Sequence, residues 1–156
     1  NSSQFEELLS KNIKLILNDI SQNALEKTRY KLGDRINRVI LYNGDIAKAL
    51  PTTIPKVDLW IDSSVLHFLI EQNDIEGYFQ NLKAIVKKWG FVLFAEFSTE
   101  GATKCAGLNI HRYSLKDVSE RLGDNFKVVN QFDYTYINPY GNPRPYIYVL
   151  YKRLNL

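Results

Sequence analysis

The sequence predicts an α/β fold built on a mostly parallel β-sheet that ends in one reversed strand. Three observations carry that reading. Short apolar runs alternate with helical patterns through most of the chain. The apolar runs close on amide and acidic residues, at Asn18-Asp19, Asn43-Gly44-Asp45 and Asp62. The C-terminal part instead carries two β-type runs joined by a turn-rich loop, the pattern of an antiparallel hairpin.

The elements follow in order. Gln4 to Lys11 reads as a short helix and Ile13 to Leu17 (IKLIL) as a strand closed by Asn18 and Asp19. Ser21 is an N-cap for a helix from Gln22 to Leu32, stopped by Gly33. Arg38 to Tyr42 (RVILY) is a second strand, and Ile46 to Leu50 a short helical turn ended by Pro51. Val57 to Ile61 (VDLWI) is a third strand ending at Asp62. Asp74 to Trp89 carries helical periodicity in Ile75, Tyr78, Phe79, Leu82, Ile85 and Val86. Phe91 to Phe97 (FVLFAEF) is nearly continuous in apolar character, which suits a strand buried on both faces. Ser114 caps a helix to about Leu122 with Gly123 behind it. Phe126 to Phe132 and Pro145 to Tyr151 form the hairpin, joined through Asn138-Pro139-Tyr140-Gly141-Asn142-Pro143.

Composition sets the outer limits. A chain of 156 residues suits one domain and buries a core without disulfides or metal. A formal net charge of +3 is too small to suggest a nucleic-acid binder. Cys105 is the one cysteine, so neither an internal disulfide nor a cysteine metal cluster is expected, and a reducing, cytoplasmic setting is the default. No apolar run approaches the ~20 residues needed to span a bilayer. The absence of methionine and the start at Asn1 lead us to expect that a preceding segment has been removed or left out.

This order of elements resembles the class I S-adenosylmethionine-dependent methyltransferase fold across nearly the whole chain. The resemblance implies a three-layer Rossmann-like sheet, mostly parallel with an antiparallel C-terminal hairpin, in a single domain over 1–156 that lacks the family's first strand and glycine-rich turn. It implies S-adenosyl-L-methionine as cofactor and methyl transfer to a small molecule, with neither nucleic acid nor membrane as partner. Asp19 resembles the family's acidic residue that holds both ribose hydroxyls, with Ile20 beside it. The physics is that a carboxylate at a strand's carboxyl end can accept two hydrogen bonds from a vicinal diol. Asp45 and Ile46 resemble the adenine-side residues, and Asp62 with Ser63 the fourth-strand end that meets cofactor and substrate. A narrower resemblance joins Asp62 to Leu69 (DSSVLHFL) with Thr99 to Tyr113 (TEGATKCAGLNIHRY), as in a small-molecule methyltransferase subfamily.

Each candidate has a plainer alternative. A strand-end aspartate is commonly a loop residue or helix cap, and Asp62 can cap the segment beginning at Ser63. His67, in the run VLHFL, reads either as a core histidine or as a general base. Asp62 is the second candidate base. Cys105 reads as a small apolar residue with a lesser prospect of touching substrate. His111 reads as exposed. Arg112 can bind an acidic group on the substrate or form a surface ion pair. Tyr134, Tyr136, Tyr146 and Tyr148 read as sheet packing, with Tyr134 and Tyr136 candidates for a substrate pocket or an interface such as that of a homodimer. Two other readings stay open: a catalytically inactive methyltransferase-like fragment or partner-binding module, and a nicotinamide-dinucleotide domain, the latter disfavoured by Asp45 and the terminal hairpin.

Overall fold

The computed structural model describes residues 7–155, and these form two compact units that divide between Lys48 and Ala49. Residues 7–10 are helical; the rest of the helix expected from Gln4 lies partly outside the described residues.

In the first unit, strand β1 (Leu15–Asp19) pairs in parallel with β2 (Val39–Asn43), with Asp19 opposite Asn43. Between them runs helix α1 (Gln22–Leu32), over the span the sequence predicts. Ser21 caps it by accepting from the Ala24 amide at 3.2 Å, and Gly33 closes it at a φ of 53°, in the left-handed region glycine tolerates. Leu9, Leu32 and Val39 are buried together, with Leu15, Leu17, Ile36 and Leu41 packed against them. Arg38 holds the edge of this core by donating to the Leu9 carbonyl at 2.9 Å and the Ile13 carbonyl at 3.1 Å. The helical turn expected over Ile46 to Leu50 is only a turn, with the Lys48 amide on the Asp45 carbonyl at 3.0 Å. Pro51 disfavours helical backbone at Leu50, so the turn does not propagate.

The second unit is a four-stranded sheet in the order β3-β4-β8-β7. Strand β3 (Val57–Ser63) is parallel to β4 (Val86–Phe97), and β8 (Pro143–Arg153) is antiparallel to both β4 and β7 (Phe126–Ile137). A small hairpin, β5 (Lys104–Cys105) with β6 (Leu108–Asn109), lies between β4 and the last helix. Helix α2 (Gln72–Ile85) buries Ile75, Tyr78, Phe79, Leu82 and Ile85, the stripe that its periodicity predicts. Helix α3 (Leu115–Leu122) buries Val118 and Leu122 and carries a full capping box between Ser114 and Asp117.

Two boundaries differ from expectation. Helix α2 ends at Ile85 rather than Trp89, and β4 begins at once with Val86, which pairs with Val57. Arg153 ends the helix by donating to the carbonyls of Lys83 and Val86. Trp89 then adopts a φ of 65°, and Gly90 sits so close to the Asp58 and Lys87 carbonyls that a Cβ would lie 2.9 Å from each. The β3–β4 register shifts at this point. The terminal strands are also longer than expected. Asn138 shortens their connection by accepting from the amides of Tyr140 and Asn142 at 3.0 and 2.9 Å.

Candidate functional site

The carboxyl ends of β1 and β2 are laced together by two asparagines. Asn18 donates to the carbonyls of Tyr42 and Gly44 at 3.1 and 2.9 Å. Asn43 returns the pattern, donating to the carbonyls of Asp19 and Ile20 at 3.0 Å each. This lacing fixes the two loops that carry Asp19 and Asp45. Asp19 is half-buried, and its Oδ1 accepts from the Ser21 amide at 2.8 Å; Asp45 is half-buried, and its Oδ1 accepts from the Ala47 amide at 2.9 Å. Each carboxylate therefore orders the turn behind it through one oxygen. Ile20 is 73% exposed beside Asp19, and Ile46 is half-buried beside Asp45. The first unit thus brings together four of the residues singled out in the sequence. Asn18 and Asn43 were not among them; their only sequence signal is an amide at the end of each apolar run.

In the second unit a polar network is buried between the sheet and α2. Asp62, only 3% exposed, accepts from the amides of Val65 and Leu66 at 2.8 and 3.1 Å and from the Tyr78 hydroxyl at 2.6 Å. The Tyr78 oxygen in turn accepts from Trp60 Nε1 at 2.9 Å. Asp62 therefore caps the turn of Leu66–Phe68, the plainer of the roles its position allowed. Ser63 ends β3 and is exposed, opposite Ala95. His67 is fully buried, with its amide and its Nδ1 at 3.1 and 2.9 Å from Glu96 Oε2.

The Glu96–His67 contact is a hydrogen bond between neutral groups. Burial, then the charge of Asp62, pushes the Glu96 carboxyl well above its usual range, so it keeps its proton. Burial lowers the His67 imidazole to about 4, so it stays uncharged. The histidine tautomer decides which of Nδ1 and Oε2 is the donor in this pair. Three buried atoms around this network have no hydrogen-bond partner: His67 Nε2, Glu96 Oε1 and the Tyr113 hydroxyl. Glu96, Tyr78 and Trp60 were not identified from the sequence. A lone carboxylate in the apolar run FVLFAEF was the available signal for Glu96.

The remaining candidates lie after β4. Cys105 is half-buried on β5, and the turn to β6 is made by Ala106 and Gly107 at φ values of 50° and 79°. Such paired positive angles are those of a type I′ hairpin turn, which explains the small residue and glycine there. Arg112 donates to the carbonyls of Thr99 and Gly101 at 2.7 and 3.2 Å, tying down the loop after β4. His111 is half-buried and stacks on Tyr113 with ring centroids 4.4 Å apart. Tyr134 is half-exposed, edge-on to Tyr148 at 6.2 Å. Among the described residues no cluster of histidine, cysteine and carboxylates is placed to hold a metal ion. No described helix is long and apolar enough to cross a membrane.

Carboxylates at the carboxyl ends of parallel strands, each followed by a turn, lie where open α/β sheets bind their ligands. The particular family follows from comparison with known proteins. The family model described as "Methyltransferase domain" matches residues 1–94, more than half of the chain, and this protein belongs to that family. No curated protein matches. Among solved structures, a methyltransferase from Methanosarcina mazei superposes with a TM-score of 0.76 at 13% identity, over 95% of this chain and 85% of that one. The N-methyltransferase NodS from Bradyrhizobium japonicum, in complex with S-adenosyl-L-homocysteine, gives 0.71 at 11% identity, over 90% of this chain and 66% of that one. The Burkholderia thailandensis 1,6-didemethyltoxoflavin-N1-methyltransferase also gives 0.71, at 13% identity, over 97% of this chain and 66% of that one. The chain thus spans about two thirds of the length of the latter two. These likenesses establish the Rossmann-like methyltransferase fold, including its mixed sheet and C-terminal hairpin.

Proposed function

We propose that this protein transfers a methyl group from S-adenosyl-L-methionine to a small-molecule acceptor. The observation that carries the reading is the pair of half-buried carboxylates, Asp19 and Asp45, on loops locked by Asn18 and Asn43 in a chain of the methyltransferase family. The donor chemistry fits the cofactor. A carboxylate that spends one oxygen on its own turn keeps further acceptor capacity for ribose hydroxyls, which suits Asp19. Asp45, with the apolar Ile46, suits the edge and face of an adenine ring. When bound, the cofactor supplies a methyl group on a sulfonium, already activated toward nucleophiles, so positioning and exclusion of water are the protein's main tasks.

Within the second unit, Asp62 and His67 act from inside the fold. Asp62 fixes the turn after β3 through two amides, and Glu96 holds the His67 ring and backbone. We assign both as positioning residues for the segment of Ser63, Ser64 and Val65, in which Ser63 and Val65 are exposed. His67 is fully buried and its imidazole is lowered to about 4, so its part is positioning rather than taking a proton from an acceptor. NodS and the toxoflavin enzyme are named for methylation of nitrogen, and the bound 1,6-didemethyltoxoflavin of the second supports a small-molecule acceptor for this chain.

Calorimetric titration of the protein with S-adenosyl-L-homocysteine tests the assignment. Binding in the micromolar range is expected, weakened about 10- to 100-fold in Asp19→Ala, the loss associated with hydrogen bonds to a charged group. Equal binding by the variant would remove Asp19 from the cofactor's ribose.

A further inference from the structure

Strand β7 is the outer edge of the second unit's sheet, with β8 as its single neighbour among the described residues. From Val129 to Ile137 every residue of it is exposed, on both faces. Edge strands are commonly guarded against pairing with another chain by lysine, proline or a bulge. Here those guards stand only at the start, where Lys127 is exposed and the register with β8 shifts between Val128 and Asn130. The run from Asn130 to Ile137 (NQFDYTYI) has no lysine, proline or register shift, and Asp133 is its one charge.

Strand β8 fixes which backbone groups of this edge are free. The Pro145 carbonyl accepts from the Ser98 amide at 3.1 Å, on the β4 side, so Pro145 turns its backbone away from β7. Directly opposite residues of an antiparallel pair either bond to each other or both face away. Thr135 lies opposite Pro145 and so points its amide and carbonyl outward. Gln131, Asp133 and Ile137 share that sense by alternation. The Asn130 side chain takes the Gln131 amide at 2.8 Å, whereas the outward groups of Asp133, Thr135 and Ile137 meet no second strand. The side chains between them, Phe132, Tyr134 and Tyr136, form a half-exposed aromatic row along one face.

We infer that β7 pairs antiparallel with β7 of a second copy of this chain, about a two-fold axis at Tyr134, and so joins two sheets into one. A strand that pairs with its own copy must oppose residues symmetrically about the axis. At Tyr134 the axis sets Asp133 opposite Thr135 and Gln131 opposite Ile137, so outward groups meet outward groups over the whole unguarded run. Phe132 then lies against Tyr136, and aromatic cross-strand pairs add to the ladder. An axis at Asp133 would oppose two carboxylates, and one at Thr135 would set the Asp133 carboxylate against Ile137. An axis at Phe132 would run Thr135 into Val129, where the register breaks. The single charge and the break thus select the register. The pairing stands independently of the proposed methyl transfer.

Sedimentation velocity over a dilution series tests the assembly, and a dimer in exchange with monomer is expected. Thr135→Pro removes one outward amide and no bond to β8, a change that edge strands tolerate, so it should give monomers with an unchanged melting temperature. The register is read by disulfide linkage in Cys105→Ser chains. Residues opposed in a non-hydrogen-bonded pair have Cα atoms about 4.5 Å apart, within disulfide reach. Tyr134→Cys should link to its own copy under oxidation, and Phe132→Cys only when mixed with Tyr136→Cys. A monomer throughout the dilution series, a dimer that survives Thr135→Pro, or no self-linkage of Tyr134→Cys would each overturn the proposal. If Thr135→Pro lowers the melting temperature, the linkage pattern decides in its place.

Discussion

Glu96 and His67 share one hydrogen bond but pull stability in opposite directions as pH changes. The Glu96 pKa is raised in the fold, so its contribution is fully present below the usual carboxyl range and is lost as pH rises toward the folded value. The His67 pKa is lowered from 6.5 to about 4, so its contribution is present above 6.5 and is lost as pH falls toward 4. Between those limits the two trends oppose one another. Glu96→Gln keeps the neutral shape and removes one titration. Its melting temperature should match or exceed that of the parent near pH 8, and should fall more steeply than the parent's on acidification from pH 6.5 to 4. Parallel melting profiles for the two proteins would mean that Glu96 is ionised in the fold. The sequence pointed to His67 and Asp62 but gave no sign that they share one network. Asp62 and Glu96 lie on different strands, and only the β3–β4 register places Asp62 opposite Phe94, two residues before Glu96.

The break in β4 shows what local pattern can and cannot reveal. The stripe of α2 was legible because Ile75, Tyr78, Phe79, Leu82 and Ile85 recur at helical spacing. Its end was not legible, because Val86 continues that spacing and is buried in either state. What decides is the pairing of Val86 with Val57 and the carbonyl clamp from Arg153, both long-range contacts. Similarly, Phe91 to Phe97 announced a buried strand, whereas its start at Val86 depends on the turn at Trp89 and Gly90. Gly90→Ala places a methyl group 2.9 Å from two backbone carbonyls that cannot rotate away, so the β3–β4 ladder must shift. We expect a loss of about 1–3 kcal/mol in chemical denaturation, the cost usual for overpacking. A loss below a few tenths would show that the ladder yields freely there.

Across the whole molecule, the described elements differ in how deeply their hydrogen bonds are enclosed. Strand β4 is flanked by β3 and β8 and buries Val92, Phe94, Ala95, Glu96 and Phe97, while β8 buries Ile147, Val149 and Tyr151 between β4 and β7. The β1–β2 ladder is two strands wide, and none of the residues in β1 is fully buried. Amide exchange should therefore be slowest in β4 and β8 and faster by orders of magnitude in β1, since opening free energy follows enclosure. Equal protection in β1 and β4 would contradict that ranking. The order of the main strands and helices was readable from alternation, whereas the short β5–β6 hairpin was not. The division of the sheet into a two-stranded and a four-stranded ladder was not, because strand neighbours are set by packing across the chain rather than by local pattern.

The two tryptophans sit in unlike surroundings. Trp60 gives its indole hydrogen to Tyr78 inside the Asp62 network, whereas Trp89 is 56% exposed with the Lys152 ammonium 5.6 Å from its ring centre. The protein therefore contains a matched pair of intrinsic fluorophores. Iodide, drawn by the lysine, should quench Trp89 more than the half-buried Trp60, so the emission that resists quenching longest reports from the polar network.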